Sequence, residues 1–228
     1  FEGERVKAFV KLPKKDSKIT DIWMEKEDGT NVLSGTAGIG PKHETSALDS
    51  LMSKLDKPEK LVILSDIKEG LKSNKRVKVK MGFDQHMGDL YPFTLNEKLA
   101  VITELDEWYT EENGNKSPWR KPIIPIEMIS VLTNFSGNPS NFSVKGPVIG
   151  LFANQEIKLF NGPLFVDEEY QIEKEIIALS QSKRVETYWC MTYVYDKENI
   201  LVAECLLNQA FLKDSYKNYE QELKDISG

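Results

Sequence analysis

Two carboxylates near the middle of the chain are placed to do proton chemistry. Asp106 opens the stretch DEWYTEENGNKSPW, which also carries Trp108, Tyr109 and Trp119. An aspartate among aromatic rings loses solvation of its charged form, which raises its pKa toward the range of a general base. Glu127 lies a little further on, in PIIPIEMISVLTNF, within the first turn of what reads as a helix. There a carboxylate either serves a reaction or complements the positive end of the helix dipole. Trp108, Tyr109, Trp119 and Met128 would then wall an apolar ligand that has one polar end. The plainer readings are a turn or cap role for Asp106, a dipole role for Glu127 and simple loop packing for the aromatic residues.

The histidines are few. His43 and His86 are the two in the chain, and both are far in sequence from Asp106. His86 sits in MGFDQHMGDLYPF between Asp84 and Asp89. It could shuttle a proton, but one imidazole among scattered carboxylates does not make a metal-ligand set, and the segment reads as a structured loop. Gly146-Pro-Val-Ile-Gly150 opens a strand rather than a helix and lacks the Lys-Ser/Thr pair of a phosphate loop. Neither a cofactor nor a metal is expected.

The elements that must position these residues follow from pattern. LAVITEL, residues 99–105, reads as a short strand, and 106–121 as a polar loop with aromatic punctuation. Pro122-Ile-Ile-Pro125 forces an extended approach, because the residue before a proline avoids helical backbone. Pro125 suits a helix start. Met128, Val131, Leu132 and Phe135 then recur at helical spacing, with Ile126 and Ile129 beside them. Glu127, Ser130 and Asn134 form a narrow polar stripe, and Gly137-Asn138-Pro139 stops the helix. Residues 148–159 return as a long strand. Three more strands follow, over 170–178, 185–195 and 200–211. Lys72 to Lys80 reads as a solvated strand.

The first forty residues repeat the last three strands in layout. Phe1 and Glu4 stand like Phe165 and Glu169, the Asp28-Gly29 turn matches Asp196, and residues 32–37 fall on 200–205. The expected division is therefore 1–45 as the closing strands of a first, truncated repeat, 46–60 as a connecting helix and linker, and 61–228 as a complete second repeat. On this reading the chain begins in mid-domain. A nearly all-apolar helix has to be enclosed, and one antiparallel sheet wrapped around it does so. A strand, a buried helix and four more strands give an α+β chain with the element order of a hot-dog fold.

Bulk properties narrow the classes of partner. At 228 residues with 40% hydrophobic and 29% charged content the composition is that of a globular protein. A net charge of -6 argues against nucleic acid or an anionic membrane as the main partner. No apolar run approaches the roughly 20 residues that span a bilayer. Cys190 and Cys205 both lie in apolar runs and read as small core residues of a reducing compartment. A cytoplasmic location is expected.

The element order, together with Asp106-Glu-Trp-Tyr109, Ser117-Pro-Trp119, Pro122-Ile-Ile-Pro125 and GPLFVDEEYQIEKEI, resembles the MaoC-like hot-dog proteins in their double hot-dog arrangement. That resemblance implies hydratase or dehydratase activity on acyl thioesters of coenzyme A or acyl carrier protein. The family places an Asp, then a His about five residues on, ahead of the central helix, and an Ala-His-Gly-like segment leads into it. Here Asp106 stands at the Asp position, Tyr109 and Thr110 stand where the His is wanted, and Ile124-Pro125 replaces the second motif. Enoyl hydration needs both a base for water and an acid for the alpha carbon, and a lone carboxylate supplies half of that. Two functions from different classes therefore stand side by side: a lyase centred on Asp106, or a non-catalytic module that binds an acyl group or serves as an assembly partner. A thioesterase centred on Glu127 is a third. A homo-oligomer, or association with a preceding segment, is expected.

Overall fold

The structure, a computed structural model, describes residues 4–13, 15–40, 45–88, 91–102, 105–134 and 142–226. It divides into two compact units, Phe1–Asp56 and Lys57–Gly228.

In the first unit, β1 (Val6–Val10), β2 (Ile19–Lys26) and β3 (Asn31–Gly38) form an antiparallel meander in that order. The β2–β3 turn closes at Gly29, whose φ of 82° suits a residue without a side chain, and Asp28 accepts the Thr30 N–H at 2.9 Å. Phe9 and Trp23 stack on one face with centroids 5.3 Å apart. Strand alternation puts Val6, Ala8, Val10, Ile22, Met24 and Leu33 on the other. A short helix, α1 (Ala47–Met52), follows and starts from a capping box of Ser46 and Asp49.

The second unit is a five-stranded antiparallel sheet in the order β4-β6-β7-β8-β5. Its strands are β4 (Val77–Lys80), β5 (Gly150–Leu159), β6 (Glu169–Gln181), β7 (Val185–Tyr195) and β8 (Leu201–Leu212). α2 (Leu95–Leu99) and α3 (Ile126–Thr133) lie between β4 and β5, and α4 (Tyr219–Asp225) follows β8. The sheet wraps α3. Met128, Ile129, Val131 and Leu132 are each at most 5% exposed and share one cluster with Val79, Ile172, Val194 and Ala203 of the sheet. Burying four such side chains contributes about 1.5–3 kcal/mol each, so α3 is held by tertiary packing rather than by its eight-residue length. Pro125 is its N-cap, and Phe135 lies outside the described residues.

A second cluster closes another part of the sheet. Val62, Ile63 and Leu64 pack with Ile176, Tyr188, Phe211 and Tyr219. Glu186 is fully buried beside them and accepts from Val62 N–H at 2.8 Å, Leu64 N–H at 3.0 Å and the Tyr219 hydroxyl at 2.9 Å. Cys190 and Cys205 are buried free thiols.

One expected strand is absent. Leu99 ends helix α2, residues 100 and 101 turn, and 103–104 lie outside the described residues. Thr94 and Glu97 form a capping box ahead of Leu95 and Leu99, which are buried one helical turn apart. The strand that precedes the central helix in the sheet is instead β4, the end of the Lys-rich run, which pairs with β6. β2 and β3 match β7 and β8 two residues away from the register their turns suggest, while β1 matches β6 as Phe1 matches Phe165. Met24 faces Leu33 as Val194 faces Ala203, and Ala8 faces Met24 as Ile172 faces Val194.

Candidate functional site

The loop ahead of α3 is built from its own backbone upward. Asp106 accepts the Trp108 N–H at 2.8 Å and so caps a 3-10 turn over Glu107–Tyr109. The Thr110 carbonyl takes the Gly114 N–H at 2.8 Å, leading into a second such turn over Gly114–Lys116. Gly114 lies against Pro122 so closely that a Cβ there would stand 2.4 Å from the proline ring. The Ser117 hydroxyl donates to the Lys121 carbonyl at 2.6 Å and closes the loop tip. The Ile123 N–H then bonds the Trp108 carbonyl at 3.0 Å, which ties the end of the loop to its beginning.

Pro122-Ile-Ile-Pro125 is extended, as its two prolines require. Ile123 bridges Phe165 in antiparallel fashion, the Ile124 N–H reaches the Leu164 carbonyl at 2.8 Å, and the Val166 N–H reaches that of Pro122 at 3.0 Å. The Tyr170 hydroxyl accepts the Phe165 N–H at 2.8 Å, and burial raises its phenol pKa to about 12. The segment delivers the chain into the sheet, where α3 begins.

The residues singled out by sequence are partly brought together. Trp108 packs edge-on against Trp119 at 6.2 Å, and Trp119 against Phe165 at 6.2 Å. Trp119 remains 45% exposed, so this is a surface aromatic cluster rather than the wall of a closed tunnel. Tyr109 turns the other way and packs on the central core. Its pKa is raised by burial first and by the Asp106 charge second. Asp106 is exposed rather than enclosed by its aromatic neighbours, and its carboxylate is engaged as a cap. Glu127 is exposed at the start of α3 and pairs with Lys98 at 3.4 Å. Met128 is 1% exposed inside the core, beneath the helix rather than facing a ligand. His86 is exposed, with Nδ1 at 3.1 Å from the Pro92 carbonyl, while Met81, Phe83 and Met87 of the same segment are core residues. His43 and Asp89 lie outside the described residues.

Sequence reasoning missed the cleft beside this cluster. Lys121, Phe165, Glu168, Tyr170, Asp196 and Lys197 line a cavity of about 170 Å³, with Lys121 and Glu168 paired at 2.5 Å. The signal for it was present in LFVDEEY, where Phe165 and Tyr170 flank a run of acids, but that segment reads first as the lead-in to a strand. Among the described residues no group of three or more His, Cys, Asp or Glu side chains is placed to hold a metal.

No protein-family profile and no curated sequence matches the chain. Its structure is similar to that of a MaoC domain protein from Chloroflexus aurantiacus J-10-fl, with a TM-score of 0.50 and 13% identity over 91% of this chain and 68% of that one. It is similar also to a monoamine oxidase regulatory protein from Archaeoglobus fulgius, with a TM-score of 0.50 and 15% identity over 66% of this chain and 94% of that one. At these identities the likeness is one of fold. A sheet wrapped around a buried apolar helix makes the second unit a hot-dog fold. No helix among the described residues is long and apolar enough to cross a membrane.

Proposed function

We propose that the chain is a MaoC-like hot-dog module that binds an acyl thioester, of coenzyme A or acyl carrier protein, without itself carrying out the proton transfers of a hydratase. One observation carries this reading. In the loop where those transfers would be made, the carboxylate of Asp106 is exposed and spent on capping the Trp108 N–H. Tyr109 and Thr110 follow where an imidazole would be needed, and the one described histidine, His86, belongs to a different loop. A hydratase needs an acid and a base held at the same substrate, and this loop offers one carboxylate in solvent.

A lyase reading has a specific observation of its own. The Tyr109 phenol feels the Asp106 charge, so the loop sets an exposed carboxylate within electrostatic reach of a partly buried hydroxyl. The thioesterase reading is weaker, because Lys98 neutralises Glu127 at the surface. The deciding experiment pairs calorimetric binding of saturated and enoyl thioesters with assays of hydration and hydrolysis. Binding without turnover is expected. Hydration that falls by roughly 10²-fold or more in Asp106→Asn would replace the binding reading with the lyase one, and hydrolysis abolished by Glu127→Gln would favour the thioesterase. A chain that neither binds nor turns over any thioester would overturn all three.

A further inference from the structure

The cleft beside the aromatic cluster offers chemistry that the Asp106 loop does not use. Leu164 and Val202, both buried, and Phe165 give it apolar walls. Tyr170 lines it from the start of β6 and is 5% exposed. The phenol oxygen accepts the Phe165 N–H at 2.8 Å, and its own hydrogen is offered to no acceptor among the described residues. Buried donors in native proteins almost always find an acceptor, and the space open to this one is the cleft.

The charges at the mouth are sorted. Lys121 and Glu168 neutralise each other at 2.5 Å, and Lys78 holds Glu169 at 2.7 Å. That leaves Asp196 and Lys197, neighbours in the β7–β8 turn. Asp196 spends Oδ1 on the Glu198 and Ile200 N–H groups, both at 2.9 Å, and its other oxygen has no partner among the described residues. Lys197 is exposed and pairs with no described residue. After burial, the charges of Glu168 and Asp196 are what raise the Tyr170 phenol, so all three groups face one space. The turn is pinned by Arg76, whose guanidinium stacks 3.8 Å over the Tyr195 ring and donates to the Asn199 amide oxygen. A site held in place before its ligand arrives loses less free energy to ordering.

We infer that this cleft, lined by Tyr170, Asp196 and Lys197 over apolar walls, binds a free α-amino acid with an apolar side chain. The ligand carboxylate takes the Tyr170 O–H and the Lys197 ammonium. The ligand ammonium takes the open oxygen of Asp196, and the side chain lies on Leu164, Phe165 and Val202. Neither charge of such a ligand is then left without an opposite partner, and neither free charge of the turn is left over. The cavity of about 170 Å³ holds the volume of about six waters at roughly 30 Å³ each. That suits one branched or aromatic amino acid and falls below the roughly 300–1,000 Å³ of sites for larger ligands. The inference stands apart from thioester binding and uses none of the groups of the Asp106 loop.

The test is calorimetric titration of the full chain with L-leucine and L-phenylalanine, beside isovalerate, isopentylamine and glycine. The two amino acids with apolar side chains should bind. The other three lack the ammonium, the carboxylate or the side chain, and each should bind more weakly by roughly 10-fold or more. Asp196→Asn keeps Oδ1 for the turn and removes the charge, while Tyr170→Phe removes the donor and keeps the ring. Each should weaken leucine binding by roughly 10-fold or more with unchanged circular dichroism. Failure of both amino acids to bind would overturn the proposal. So would isovalerate or isopentylamine matching leucine, since one charge then suffices. Variants that bind leucine as the unaltered chain does would overturn it too, since the contact then lies elsewhere. If Tyr170→Phe fails to fold, Asp196→Asn and the ligand panel still decide.

Discussion

Ile123 and Phe165 face each other as a single antiparallel bridge between the segment that enters α3 and the segment that enters β6. The bridge fixes the direction from which the central helix is fed into the sheet. The packing of α3 depends on that direction. Met128 and Leu132 should therefore each cost about 2–5 kcal/mol on truncation to alanine, measured by urea unfolding. Ile126, on the same helix but 60% exposed, should change stability by no more than about 0.5 kcal/mol.

Gly114 is the point at which the loop cannot take a side chain. Gly114→Ala sets a methyl group against the Pro122 ring and backbone, at 2.4 and 2.6 Å before any shift. A loss of roughly 1–3 kcal/mol is expected, as for overpacking elsewhere. The tryptophan fluorescence should change as well, since Trp108 begins the same loop and accepts the Ile123 N–H. An unchanged spectrum with unchanged stability would show that the loop yields freely.

Glu186 holds two neighbouring backbone N–H groups and one phenol inside the sheet. Glu186→Gln turns one acceptor oxygen into an NH₂ facing donors, which should cost roughly 1–3 kcal/mol. Tyr219→Phe removes one donor and leaves the carboxylate its two backbone partners, so it should cost less. The two losses should not add in the double variant, because the residues share a contact.

Alkaline pH should weaken the fold. Burial pushes the Cys190 thiol from an ordinary value near 9 up to about 11. The native state thus keeps a proton that the unfolded chain releases. That contribution is complete below about pH 9 and is lost as pH rises through 11. Burial raises Tyr170 to about 12 and acts with the same sign above pH 10. Lys174 works in the opposite sense, since burial lowers its pKa and its contribution grows with pH up to 10.5. Unfolding free energies from pH 7 to 11 should fall more gently in Cys190→Ala and more steeply in Lys174→Met.

The hot-dog order was legible because its strongest signals are periodic. The apolar faces of α3 and the alternation of β6, β7 and β8 each extend over many residues, and their bounds fall within a residue or a few of those expected. The strand ahead of the central helix was misplaced because LAVITEL alternates like a strand, while Thr94 and Glu97 upstream fix a helix start whose last turn takes Leu99. A local cap decided against a short-range pattern. The site was less legible than the fold. Residue type suggested that Asp106 is enclosed by Trp108 and Tyr109. Exposure depends on which way each ring turns, and Trp108 turns to Trp119 while Tyr109 turns to the core. Met128 was read as a ligand contact from its chemistry, but its place on the helix sends it inward.

The sheet order sets a schedule for the chain as it is made. β4 pairs with β6 and not with any strand next to it in sequence. A chain growing at about 5–20 residues per second leaves β4 waiting for a partner on the order of ten seconds. α3 emerges in that interval, oily on most sides, with β4 already made but before β5, β6, β7 and β8. Its short length and the proline-stiffened segment ahead of it limit what it can form alone. The nascent chain should therefore be most sensitive to holding chaperones, and most prone to aggregate, once α3 has emerged and until β8 is complete.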